Sequence, residues 1–154
     1  MNVVLLSIHV LAAIVFIGPV TVAASMFPPR ARAALAGGGA DPVLETLHRI
    51  TRVYAIAGIA VPVFGIATGA AMGVLGETWL VVSMVLTGVA AVVLAGAVLP
   101  GQAAVVAALA AGPEAWSGAT PVARRLSMVT GVFALTWAVV VVLMISRPGS
   151  TTGA

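Results

Sequence analysis

His9 is the residue from which chemistry has to start. It lies in Met1–Pro29, a stretch without Asp, Glu, Lys or Arg. Within the long uncharged stretches of the chain, no other side chain changes charge near neutral pH. An imidazole held among apolar helices can ligate haem iron, and a methionine thioether can supply the opposite axial bond. Met84 and Met72 are the candidates, because both fall near the same depth as His9. Six residues into the first apolar stretch puts His9 roughly 9 Å below the membrane surface, and five residues into the third puts Met84 roughly 8 Å below it. The alternative is a neutral packing histidine that hydrogen-bonds a hydroxyl such as Ser83 or Thr136, with the methionines as filler. His48 belongs to the opposite end, on the order of 30 Å away, and reads as a solvated neighbour of Arg49 and Arg52.

Most other chemistry is excluded by composition. The chain has no cysteine, so disulfides, thiolate nucleophiles, Cys-ligated metals and iron–sulfur clusters are absent together. It carries no Gly-rich phosphate loop, no Ser-His-Asp order and no zinc spacing. Its apolar stretches hold no Asp, Glu, Lys or Arg, which argues against ion or proton translocation. No basic run with interleaved aromatics exists, so nucleic acid is not a partner. The expectation is a protein that is not an enzyme and has no cofactor, with haem b on His9 as the alternative.

The elements that position these residues follow from hydropathy. Of 154 residues only 11 are charged, seven arginines and four carboxylates, while 62% are hydrophobic and mean hydropathy is +1.22. A soluble domain has an apolar share of roughly 45–50% and many more charges at its surface. The charge-free intervals 1–29, 53–76, 78–113 and 126–146 measure 29, 24, 36 and 21 residues, against about 20 for a membrane-crossing helix. They predict four spans near 3–27, 53–75, 79–99 and 126–146, packed as an all-α transmembrane four-helix bundle in a single domain.

The second and third helices are expected to extend beyond the membrane on the cytoplasmic side. Asp41-Pro42 reads as an N-cap and first helical residue, followed by Val43, Leu44, Leu47, Ile50 and Tyr54 at helical spacing. Glu45, His48, Arg49 and Arg52 occupy the other face, with Glu45 and Arg49 in the favourable i,i+4 order. After Pro100-Gly101-Gln102 the weakly apolar AAVVAALAA run continues the third helix until Gly112-Pro113, and Thr120-Pro121 repeats the cap signal before the fourth. Arg30, Arg32, Arg49, Arg52, Arg124 and Arg125 lie in the two long connections, against Arg147 alone on the other side. That asymmetry places both connections in the cytoplasm and both termini outside, and gives the six arginines lipid phosphates or a protein partner as contacts. Positive charge follows the first apolar run rather than preceding it, unlike a signal peptide.

Without a hydrophobic drive between helices in lipid, small residues set the packing. Gly65, Gly69 and Gly73 form a small-xxx-small stripe on the second helix. Ser83, Thr87, Gly88, Ala91, Ala95 and Gly96 give the third a comparable face, and Gly131 and Ala134 mark the fourth. Pro19 and Pro62 each release a backbone carbonyl inside a span, which neighbouring groups re-satisfy. Trp79 and Trp116 sit where interfacial anchors belong.

The segment Ser7-Ile8-His9-Val10-Leu11-Ala12-Ala13-Ile14-Val15-Phe16-Ile17-Gly18 resembles the first helix of a bacterial family of predicted four-span integral membrane proteins of unknown function. The likeness continues through the Arg-bearing first connection. The same His-then-Gly helix is similar to those of copper-resistance D-type membrane proteins and of the protoporphyrinogen-oxidase-like four-helix family. The resemblance implies a four-helix membrane fold and a haem-site ancestry at His9. The last of these families pairs its histidine with a lysine, and this chain has none, so its activity is not implied. Ala/Val/Gly/Arg-rich, lysine-free composition points to a high-GC bacterium. The expected protein is an accessory or structural plasma-membrane subunit, in contact with the bilayer and with other membrane subunits or copies of itself.

Overall fold

The computed structural model describes residues 2–39 and 41–149. Four helices make up the fold: α1 (Val3–Gly37), α2 (Pro42–Met72), α3 (Thr78–Ala111) and α4 (Pro113–Ser146). Each is long and apolar enough to cross a membrane, and the fold is an all-helical four-helix bundle. The start of α1, the end of α4 and the 73–77 turn share one end, here the terminal end. The six arginines at 30, 32, 49, 52, 124 and 125 are all exposed and share the other, the arginine end.

The helix ends follow local chemistry. Gly38 closes α1 at φ 74°, its N–H reaching the Ala34 carbonyl; this left-handed conformation favours glycine. Asp41 caps α2 as its sequence predicts, accepting from the Val43 N–H while Arg30 Nε donates to its other oxygen at 3.0 Å. Gly112, at φ 103°, is the whole connection between α3 and α4. Arg147 ends α4 at φ 40°, ψ 55°, the one non-glycine residue with positive φ among those described. Pro148 disfavours αR for the residue before it, so the helix stops here; the left-handed turn that Arg147 adopts costs about 1–2 kcal/mol.

Two boundaries differ from expectation. Helix α4 begins at Pro113, not at Thr120, whose hydroxyl instead donates back to the Trp116 carbonyl inside the helix. Helix α1 continues to Gly37, so all four helices, not two, reach beyond a bilayer's thickness. The extensions hold together because they own a core. Phe27, Ala31, Leu44, Leu47, Val105, Leu109, Ala123 and Leu126 are buried against one another at the arginine end. A second cluster, Val20, Ala24, Ala90, Leu94, Val98 and Phe133, lies further along towards the terminal end.

Prolines shape the middle of the bundle. A π-helical turn, Ala13–Ile17, ends two residues before Pro19, and another, Leu94–Val98, ends two residues before Pro100. Proline lacks the N–H for the i−4 carbonyl and its ring clashes there; widening the turn relieves both, and Leu99 N–H accordingly reaches back to the Leu94 carbonyl. In α2 the regular helix breaks at Gly58–Ile59, ahead of Pro62. The Gly58 carbonyl, which Pro62 cannot serve, accepts from the Val61 N–H at 3.0 Å. The chain's own backbone thus re-satisfies this group, without a neighbouring hydroxyl.

These irregular turns separate two differently packed halves. Towards the arginine end α1, α2, α3 and α4 pack mutually. Towards the terminal end residues 2–12 of α1 lie along residues 60–72 of α2, and residues 78–93 of α3 lie along α4, while these two pairs barely touch. The bundle is closed at one end and splayed at the other.

Candidate functional site

The splay encloses a cavity of about 580 Å³, within the range of small-molecule sites, lined by all four helices. His9, Met72 and Met84 are all in its walls. His9 is buried at 9% exposure. Its Nδ1 lies 3.0 Å from the carbonyl oxygen of Val61. A carbonyl only accepts, so Nδ1 carries the proton and donates, and in the neutral form of the ring the lone pair is then on Nε2. This is the arrangement by which a backbone carbonyl orients a ligating imidazole. Ser83 and Thr136, the hydroxyls proposed from sequence as partners, bond instead to the Trp79 and Val132 carbonyls of their own helices.

The glycine stripe is reassigned residue by residue. A Cβ on Gly65 would stand 2.9 Å from His9 Cε1 and 3.3 Å from Nδ1, so Gly65 makes the seat of the imidazole. A Cβ on Gly69 would stand 2.9 Å from Leu80 Cδ2 and 3.1 Å from Leu75 Cδ2, where the 73–77 turn folds over the cavity. Gly73 packs against nothing; it ends α2 at φ 70°. Gly88, Gly96 and Gly131 likewise have no neighbour within 4 Å of a Cβ, so the small faces expected on α3 and α4 are not close contacts at those positions. The tight approach that sequence does not signal is Gly101, where a Cβ would meet Leu126 Cδ2 at 2.8 Å.

The two methionines are not equivalent. Met72 is on α2, which packs along α1 in this half, so it shares the wall of His9. Met84 is on α3, in the other helix pair, so it belongs to the facing wall. Trp79 and Trp137 also line that second pair's side. Trp79 is not a water-facing anchor: it is buried, and the Arg147 guanidinium carbon stands 5.6 Å from its ring centroid. Phe133 meets Trp137 edge to face with centroids 6.5 Å apart.

A second polar constellation was not evident from sequence. Gln102, at the turn where sequence expects the third helix to leave the membrane, is fully buried within the bundle. Its Oε1 accepts from His48 Nδ1 at 3.2 Å, its Nε2 donates to Thr51 Oγ1 at 3.4 Å, and Thr51 Oγ1 donates to the Leu47 carbonyl. His48 is therefore half-buried and held between α2 and α3 rather than solvated. Thr51 continues the buried spacing of Leu44 and Leu47, which is the signal that could have found it.

Of the six arginines, Arg30 is paired with Asp41, and Arg32 Nη1 donates to Ser127 Oγ at 2.7 Å, tying α1 to α4. Among the described residues Arg30–Asp41 is the one ion pair, so the Glu45–Arg49 pair does not form. The Arg30 guanidinium, and then the Val43 N–H, hold the Asp41 carboxyl below its ordinary pKa. Among the described residues no group of three or more His, Cys, Asp or Glu is placed to hold a metal ion. Comparison with family models, with curated proteins and with solved structures finds no match to this chain.

Proposed function

We propose that this chain is a non-catalytic multi-pass protein of the bacterial plasma membrane that holds haem b in the cavity at its terminal end, with His9 Nε2 as one axial ligand. The observation that carries this is the His9–Val61 hydrogen bond, which fixes the tautomer and leaves the ligating nitrogen unengaged in a wall of an apolar chamber. The residues present suit the group. The chamber has the volume of a small-molecule site, Gly65 makes room for the imidazole, and Met84 on the facing helix pair offers a thioether for the opposite position, with Met72 second to it. Bound haem would supply one-electron chemistry. The absorption spectrum of haem-replete, purified protein is the test. A reducible Soret band that disappears in His9→Ala supports the assignment, and Met84→Ala, more than Met72→Ala, should alter it. A colourless protein refutes it.

An accessory subunit of a larger membrane assembly, or a homo-oligomer, is the second reading. What favours it is the apolar exposure beside the cavity, where Ile14 and Ile145, both in its wall, are 65% and 77% exposed. A stable, isolated monomer in mild detergent would count against it. Six arginines at one end support an orientation with both termini outside. A cysteine at Gly39, an open position, should then resist impermeant reagents in intact cells, and labelling there reverses the orientation.

A further inference from the structure

We propose that the cavity takes a lipophilic acid, its apolar body between the two helix pairs and its carboxylate on the guanidinium of Arg147. This rests on the cavity being a ligand site, as the haem assignment does, but not on ligation by His9; haem b, which bears two carboxylates, is one member of the class. Arg147 lies at the terminal rim, in the cavity wall. It is half-buried, and the nearest partner the structure gives it is an aromatic face, Trp79, at 5.6 Å. No carboxylate among the described residues lies within 4 Å of it, Glu77 beside Trp79 included. A guanidinium presents planar donors that match a carboxylate in bidentate fashion. Half-buried, stacked on a ring and with no carboxylate within 4 Å among the described residues, this charge is the group that would take the acid.

The backbone aims this group. The left-handed turn at Arg147 folds the side chain back over Trp79 and the cavity rather than continuing along the helix axis. Below the rim the lining is almost wholly apolar, with Leu6, Ile14, Ile66 and Val141 among its walls. Ile14 on α1 and Ile145 on α4, both in the cavity wall, are exposed on the outer flank of the helices, so the proposed entry is lateral, from among acyl chains and not from water.

The test titrates cis-parinaric acid, a fluorescent polyene fatty acid, and separately its methyl ester into the full chain in maltoside micelles. Energy transfer from Trp79 and Trp137 in the cavity wall is the readout. Saturable transfer is expected for the acid. Arg147→Gln should raise its Kd about 10- to 100-fold, the worth of a hydrogen bond to a charged group, and Arg147→Lys, which keeps the charge but not the planar fork, should recover only part of the loss. The ester should bind wild type and Arg147→Gln alike. Gly131→Ala, outside the cavity wall, should leave the acid's Kd within about twofold, and the haem band is read separately in His9→Ala, so that loss of the haem band and loss of acid binding are separate results. Equal binding of acid and ester by wild type, an unchanged Kd in Arg147→Gln, or no saturable transfer overturns the proposal. Displacement of the acid by phosphatidylglycerol at equal concentration assigns the guanidinium to a phosphate headgroup and overturns it too.

Discussion

Replacing Gly65 by alanine puts one methyl group against the imidazole of His9. The new carbon would stand 2.9 Å from Cε1 and 3.3 Å from Nδ1, whereas carbon contacts are optimal at about 3.5–4.0 Å. The ring must therefore retreat by roughly 0.6–1 Å. That takes the Nδ1–H···O=C Val61 bond from 3.0 Å to the edge of hydrogen-bonding range or past it. Overpacking a tight site costs about 1–3 kcal/mol, and a buried donor left unpaired costs about 1–3 kcal/mol. Because the retreat that relieves the first creates the second, the gross cost is about 2–3 kcal/mol. Alanine returns about 0.8–1 kcal/mol of helix propensity, so the net loss is about 1–2 kcal/mol. In a His9→Ala background the obstacle is gone and the same substitution should stabilise by about 0.8–1 kcal/mol. The double-mutant cycle therefore has a coupling of about 2–3 kcal/mol. Equilibrium unfolding in mixed dodecyl sulfate and maltoside micelles, followed by far-UV circular dichroism, measures all four corners. A neutral Gly65→Ala, or a cost that persists without His9, would refute the seat assigned to Gly65.

Gln102→Leu removes the link between His48 and Thr51 and should cost about 0.6–2 kcal/mol, the worth of an interhelical hydrogen bond in lipid, in the same unfolding assay. Gly101→Ala, pressed into Leu126 in the buried cluster at the arginine end, should cost about 1–3 kcal/mol, whereas Gly131→Ala, with open space around it, should be neutral or gain up to about 1 kcal/mol. Asp41→Ala should loosen the α1–α2 connection, and acidification should do the same to wild type alone. The folded-state pKa of Asp41 lies below its ordinary 3.8, so its contribution is whole above that pH and disappears as pH falls through the lower folded value. Unfolding transitions at near-neutral pH and below pH 3.8 should therefore differ more for wild type than for Asp41→Ala.

The four helices were legible because eleven charges leave long gaps, and the Asp41-Pro42 cap because its two residues have few other uses. The shared depth of His9, Met72 and Met84 followed from counting residues inward from the membrane surface. The partner of His9 was not legible: a carbonyl is present at every residue, and no side-chain pattern marks the one at Val61. The start of α4 misled because a threonine before a proline serves a helix interior as well as a cap, its hydroxyl bonding back four residues to the Trp116 carbonyl. The burial of Gln102 was not legible either. A polar residue after Pro100-Gly101 marks an exit from lipid without showing which way it faces, and its partners Thr51 and His48 lie some fifty residues away in the chain.

The placing of Pro19, Pro62 and Pro100 has a mechanical meaning. Each follows a loosened turn in a different helix, while α4 has no such turn and runs as one piece from Pro113 to Ser146. A rod pinned at its base beside three jointed ones makes a pair of tongs: the arms can part at the tips without unzipping the grip. With the arginine end as the handle, bending at the three joints would open the tips with no helix unwound.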